Sequence, residues 1–179
     1  MCSLSMKKNF IFIVVIFLLG YFLYSALFSQ SGLAIGKAAP LFTVETPGHE
    51  PFQLKDHIGK KVILLNLWAT WCPACREEIP VLNQIQSELD GAKFMMVSIM
   101  LDETKDAQQK HEALNRFKEK IPIHFPVYFD NGFAVADAYG TYKLPESYII
   151  DLNGVVSYKH VGPIMGWDKN DIIERIKQL

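Results

Sequence analysis

The sequence predicts an α/β fold, with a central mixed sheet flanked by helices, and three observations carry that expectation. Val62-Ile63-Leu64-Leu65-Asn66-Leu67-Trp68 and Phe94-Met95-Met96-Val97-Ser98-Ile99-Met100 are nearly continuous apolar runs, as expected of strands covered on both faces. Segments with helical spacing follow these runs, so strands alternate with helices. Near the end, Asn153-Gly154 separates Ser147–Asp151 from Val155–Lys159, a strong turn signal for an antiparallel hairpin.

Each element can be justified in order. Between Pro40 and Leu54, Phe42-Thr43-Val44 and Phe52-Gln53-Leu54 flank the turn material Pro47-Gly48-His49, which predicts a short hairpin. Residues 55–60 read as a loop. After the first long strand, Ile79, Leu82, Ile85, Gln86 and Leu89 recur with helical spacing, and Pro80 is expected to kink that helix. Lys105 to Lys120 reads as a charged amphipathic helix with Leu114 and Phe117 facing inward. Val127-Tyr128-Phe129 is a short strand, and Phe133, Val135, Ala136 and Tyr139 predict a turn or two of helix. Asp171 to Leu179, with Ile172, Ile173 and Ile176, closes the chain as a helix.

The N-terminus has a different character. Phe10 to Phe28 carries no charge and follows Lys7-Lys8. Nineteen residues of helix would extend about 28 Å, close to the thickness of a bilayer's hydrocarbon core. The run is long for a cleavable signal and lacks a clean Ala-x-Ala site. The expected organisation is a cytoplasmic tail over 1–9, a transmembrane signal-anchor over 10–28, a tether over 29–37 and one domain over 38–179. The lysines would keep the tail in the cytoplasm. That makes the lipid bilayer a partner and places the chain as a single-pass protein of the inner or cytoplasmic membrane, its domain on the periplasmic, extracytoplasmic side. Cys2 is assigned no role.

Composition narrows the function. The formal net charge is -1 and charged residues make up 21% of the chain. No basic patch is evident, which argues against nucleic acid as a partner. Two of the three cysteines lie in the domain, in the run Trp71-Cys72-Pro73-Ala74-Cys75. A structural disulfide normally closes a longer loop, because its stabilisation grows with loop length. A pair this close, between a strand and a helix, reads as a centre for thiol–disulfide exchange.

The chemistry follows from the position. Cys72 is expected at or just before the helix start, and Pro73 suits the first turn because its missing N–H is not needed there. Unpaired N–H groups and the helix dipole would favour the Cys72 thiolate. Cys72 would attack a target disulfide and Cys75, more buried, would resolve the mixed disulfide. Glu78 follows Cys75 by three residues and can share its helical face, which makes it the catalytic candidate for proton management; a solvated acid is the alternative. Glu77 would instead favour the helix start. Trp71 is expected beside the disulfide, either offering partners a flat apolar surface or packing in the core. Trp68 reads as structural, and Tyr142 and Phe133 as groove or packing residues. No cofactor and no metal is expected: two thiolates are half a structural zinc set, and His49, His57, His111, His124 and His160 show no ligand spacing.

The Trp-Cys-Pro-Ala-Cys block after the first long strand, with Leu144-Pro145-Glu146-Ser147-Tyr148-Ile149-Ile150-Asp151 opening the last hairpin, resembles the thioredoxin fold. More closely, the region from Ala38 to the C-terminus is similar to the membrane-anchored, extracytoplasmic thiol:disulfide oxidoreductases of cytochrome c biogenesis, the DsbE/CcmG and ResA/TlpA-like reductases. The resemblance implies a thioredoxin-like fold and reduction of disulfides in exported proteins. The implied substrate is the cysteine pair of an apocytochrome c, with a membrane electron-donor relay restoring the dithiol. It places Glu78 in a Cys-x-x-Glu motif and Asn66 where ordinary thioredoxin has a buried aspartate, so the usual base is absent. It also makes Pro145 a cis-proline facing the cysteines. Lys143 stands where this branch often has glycine; its charge would attract acidic targets, favour the Cys72 thiolate, or be solvated. Three other readings compete. A general periplasmic disulfide oxidase would use the same residues, although no large helical insertion is evident between Met100 and Val127. A Sco-like copper chaperone places three residues between its cysteines. A peroxide-reducing enzyme needs a Pro-x-x-x-Thr-x-x-Cys pattern that does not occur.

Overall fold

The apolar run after Lys61 becomes β3 (Val62–Trp68), and all seven of its residues are buried. In a computed structural model of the protein, which describes residues 13–23, 33–46, 49–89, 91, 93–104 and 106–179, β3 lies near the middle of a seven-stranded sheet. The strand order is β2-β1-β5-β4-β3-β6-β7. The other strands are β1 (Thr43–Thr46), β2 (His49–Gln53), β4 (Phe94–Met100), β5 (Val127–Phe129), β6 (Glu146–Ile150) and β7 (Val156–Val161). β3, β4 and β5 run parallel, while β6 pairs antiparallel with both β3 and β7. The mixed sheet expected from the sequence is therefore present.

Alternation along β3 divides the core. Val62, Leu64 and Trp68 face a cluster that includes Ile79, Leu82 and Ile85 of α2 (Pro73–Leu89), Leu114 and Phe117 of α3 (Ala107–Lys118), and the isoleucines of α5 (Lys169–Lys177). Ile63, Leu65 and Leu67 face Val44, Leu54 and Tyr148, with Val135 and Ala136 of α4 (Ala134–Ala138). Each large apolar side chain fully buried in this way contributes about 1.5–3 kcal/mol. Trp68 packs edge-on against Phe117, ring centroids 5.1 Å apart, which bears out its structural reading.

Several local details refine the sequence reading. Residues Leu54–Asp56 form a short 3-10 turn that takes the last residue of the expected hairpin and the first two of the expected loop. Pro80 sits within a helix that runs on to Leu89. Asp106 caps α3 by accepting a hydrogen bond from the Gln109 N–H at 3.0 Å. β1 and β2 pair antiparallel as the expected hairpin requires, while its turn residues Pro47 and Gly48 lie outside the described residues.

The membrane expectation is corrected. The chain divides into two units, Met1–Ser31 and Gly32–Leu179. In the first, the described part of α1 covers residues 13–23. Among the described residues, no helix is long and apolar enough to cross a membrane. The N-terminal transmembrane helix therefore does not stand as part of the fold class. The signal-anchor, the bilayer as partner and the inner-membrane, periplasm-facing location drawn from it do not stand either. Cys2, Lys7, Lys8 and the outer portions of the 10–28 run lie outside the described residues.

The β6–β7 turn has a backbone requirement. Gly154 adopts φ +75°, and a Cβ there would lie 2.9 Å from Cδ1 of Ile58. Its carbonyl also accepts a hydrogen bond from the Ala39 N–H at 2.8 Å. Replacing Gly154 with Ala adds the left-handed cost of a side chain, about 1–2 kcal/mol, to that close contact. Gly154→Ala is expected to lower the denaturant midpoint by a free energy of about 1–3 kcal/mol without changing the slope of the transition, measured by urea unfolding.

Candidate active site

Parallel pairing of β3 and β4 sets the position of the cysteines. Trp68 lies opposite Met100, so Thr70 and Asp102 both fall two residues past the paired ends. The Asp102 carboxylate accepts from the Thr70 N–H at 2.9 Å and from the Thr70 hydroxyl at 2.6 Å. Arg76 in the first turns of α2 donates back to the Thr70 carbonyl at 3.0 Å. These bonds hold the short loop from β3 into α2. The sequence reading passed over Asp102, Thr70 and Arg76, whose signal is only the shared offset beyond two adjacent parallel strands.

Pro73 opens α2, as its lack of an N–H favours. Cys72 immediately precedes it and is joined to Cys75 by a disulfide. The Cys75 N–H donates to Cys72 Sγ at 3.2 Å, so a free amide of the helix start points at this sulfur. Cys72 retains slight exposure, whereas Cys75 has none. That is the asymmetry expected of an attacking and a resolving thiol.

A buried polar group of four side chains joins α2 to the middle of the sheet. Asn66 pairs in register with Ser98 on β4 and with Ser147 on β6. Its Nδ2 donates to Ser147 Oγ at 3.1 Å and to Glu78 Oε1 at 2.9 Å, while its Oδ1 accepts from Ser98 Oγ at 3.4 Å. Glu78, fully buried on α2, also accepts the Ile164 N–H at 3.1 Å through Oε2. Burial pushes the Glu78 carboxyl up to about 7, against the opposing pull of the hydrogen bonds from Asn66 and Ile164. The structure thus brings together Glu78 and Asn66, two of the residues singled out in the sequence, while Cys75 lies one helical turn before Glu78 on α2 and is buried like it. It excludes the solvated-acid reading of Glu78, whereas Glu77 is exposed. The Ile164 amide was not foreseen, because a backbone donor from a distant loop leaves no residue-type signal.

In front of Cys72 a cleft of about 580 Å³ opens between the β3–α2 loop, α4 and the segment before β6. Trp71, Phe133, Tyr142 and Lys143 line it, with Leu101 and Leu144 deeper in. Trp71 and Tyr142 are each 57% exposed, so both belong to the groove rather than the core. Lys143 is exposed at the rim and, among the described residues, makes no ion pair. The Leu144–Pro145 bond is cis. Pro145 itself is buried, and its carbonyl accepts the Gly162 N–H at 2.9 Å, so this carbonyl is engaged within the fold. Glu146 after it is buried against Lys159, whose ammonium also lies 5.9 Å from the Tyr142 ring.

Comparison with known proteins agrees with this geometry. Residues 35–159 match the AhpC/TSA family. The chain is 35% identical over 158 residues to the thiol-disulfide oxidoreductase ResA of Bacillus cereus (strain ATCC 10987 / NRS 248), covering 84% of this chain and 87% of that protein. It is 34% identical over 161 residues to the thioredoxin-like protein YneN of Bacillus subtilis (strain 168), covering 88% and 91%. The crystal structure of a thiol:disulfide interchange protein of the thioredoxin family from Chlorobium tepidum TLS superposes with a TM-score of 0.65 at 29% identity, over 80% of this chain and 97% of that one. With a Cys72–Cys75 disulfide at the start of α2 and these relatives, the chain belongs to the AhpC/TSA family and is a thioredoxin-fold, ResA/DsbE/TlpA-like thiol–disulfide oxidoreductase.

Proposed function

We propose that this oxidoreductase works as a reductase of polypeptide disulfides, and that its substrate is the oxidised Cys-x-x-Cys-His segment of an apocytochrome c. The observation that carries the reductase reading is the buried Glu78 carboxyl, poised near neutrality three residues after Cys75 and tied to Asn66. The apocytochrome assignment rests on the resemblance to cytochrome c biogenesis reductases, whose product dithiol is the form that can bond to haem.

In the reduced protein, the Cys72 thiolate attacks one sulfur of the substrate disulfide. The substrate S–S bond breaks, a mixed disulfide to Cys72 forms, and the departing substrate thiolate takes a proton from solvent. Cys75 then loses its proton to the Glu78 carboxylate and attacks Cys72 Sγ. The Cys72–Cys75 disulfide forms, and the second substrate thiolate leaves and is protonated. Two electrons have passed to the substrate, and an external dithiol must return them. The helix-start amide on Cys72 Sγ favours the attacking anion. Full burial shields Cys75 from water, and Glu78 one helical turn later on α2 would accept its proton. Pro145 and Lys143 would position the substrate chain, and Trp71 would give it an apolar face.

Three outcomes are expected. The equilibrium potential of Cys72–Cys75, titrated against dithiothreitol, should lie near that of thioredoxin, ~ -270 mV; a value near -120 mV, that of DsbA, would identify an oxidase instead. Glu78→Gln should slow resolution by about 100-fold near pH 7, seen as a persisting mixed disulfide in single-turnover mass spectrometry, and should remove the limb of the rate profile near neutrality. A slowed first attack with normal resolution would remove Glu78 from this role. The same carboxyl also affects stability. Its folded pKa is raised from 4.5 to about 7, so the folded state holds the extra proton. The stabilisation is complete below pH 4.5 and is lost as pH rises to about 7. Relative to Glu78→Gln, the native protein should lose on the order of 3 kcal/mol across that window in urea titrations.

A further inference from the structure

Among the described residues, Phe133 is the non-glycine residue with a left-handed backbone, at φ +62°. A bulky side chain in that region costs about 1–2 kcal/mol, which the surroundings must offset. They do so from three directions. The Asp130 carboxylate accepts the Val135 N–H at 2.9 Å and the Ala136 N–H at 3.2 Å, which fixes the start of α4. The buried ammonium of Lys110 donates to the Asp130 carbonyl and to Asn131 Oδ1, which fixes the turn before it. The Phe133 carbonyl accepts the Asp137 N–H at 2.8 Å.

None of this requires the aromatic ring. Glycine would adopt the same backbone at no steric cost, and the ring is 37% exposed, outside both core clusters. The ring instead forms a wall of the cleft that opens on Cys72, in a lining that includes Tyr142 and Leu101. Cys72 itself lines this cleft, so a polypeptide bonded to its sulfur would lie against these walls.

We infer that Phe133 is a specificity-determining residue, which selects polypeptide disulfides bearing an apolar side chain next to the attacked cysteine. Lys110 and Asp130 are its positioning residues. This inference rests on the reading of the protein as a reductase of polypeptide disulfides, and it adds which polypeptides are preferred. An apolar pocket separates a fitting side chain from a poorly fitting one by about 10–200-fold.

The test uses the reduced full chain and two synthetic peptides with a Cys-x-x-Cys disulfide, flanked on both sides by leucine or by serine. The readout is the ratio of their kcat/KM values. The native protein is expected to prefer the leucine peptide by about tenfold or more, and Phe133→Gly to bring the ratio within about twofold of one. The melting temperature of Phe133→Gly should equal or exceed the native value, since strain is relieved. A native ratio near one, or an unchanged preference in Phe133→Gly, overturns the inference. So does a fall in melting temperature above about 10 °C, which would make Phe133 a packing residue. A native protein that reduces neither peptide overturns the reductase reading and this inference with it. One that reduces both equally leaves the reductase reading standing and overturns only the role of Phe133.

Discussion

Burial of β3 on both faces is the constraint on which the rest of the structure depends. A strand with no exposed position must find apolar partners above and below, and α2, α3 and α5 on one side and α4 with the β1–β2 region on the other supply them. It also leaves any polar side chain in the strand without water. Asn66 is that side chain, and its amide has to be satisfied by protein groups. Ser98 and Ser147 flank it in register, and Glu78 completes the set from α2. The same requirement that satisfies Asn66 therefore buries a carboxylic acid on α2, one helical turn after Cys75.

The site is built from ends. β3 stops at Trp68, the Thr70–Asp102 bonds turn the chain, and α2 begins at Pro73 with the Cys75 amide on Cys72. Two contrasting environments then meet within about two turns of Cys72. An amide of the helix start points at the slightly exposed Cys72, while Cys75 and Glu78 are fully buried and burial pushes the Glu78 carboxyl up. Separating the two thiols in this way gives one of them the role of nucleophile and keeps the other in reserve. The cleft in front of Cys72 is apolar where the aromatic rings stand and charged at its rim, so the surface that meets a partner differs in character from the polar group behind it.

Much of this was legible in the residue order. The apolar runs, the helical spacing of Ile79, Leu82 and Ile85, and Asn153-Gly154 located the strands, α2 and the last hairpin. Cys72, Cys75 and Glu78 stood out by spacing along one helix, a local property. The uncharged run over 10–28 pointed to a spanning helix, but among the described residues no helix is long and apolar enough to cross a membrane. Phe133 was ambiguous for a different reason: nothing in the residue order says whether an aromatic ring next to a glycine points to the core or to a cleft.

By itself, the sequence determined the mixed α/β core, the reactive pair and the polarity of α2, because each follows from contacts between residues close in the chain or from the burial pattern of one element, whereas the transmembrane helix included in the expected fold class did not stand. Only the tertiary structure decided that Asn66 meets Glu78, that Ile164 supplies the second donor to that carboxyl, and that Phe133 lines the cleft with Trp71 and Tyr142. Those relations depend on strand register and on loops distant in sequence. Register fixes which side chains share a face across strands, and a one-residue slip of β3 against β4 and β6 would turn Asn66 away from α2.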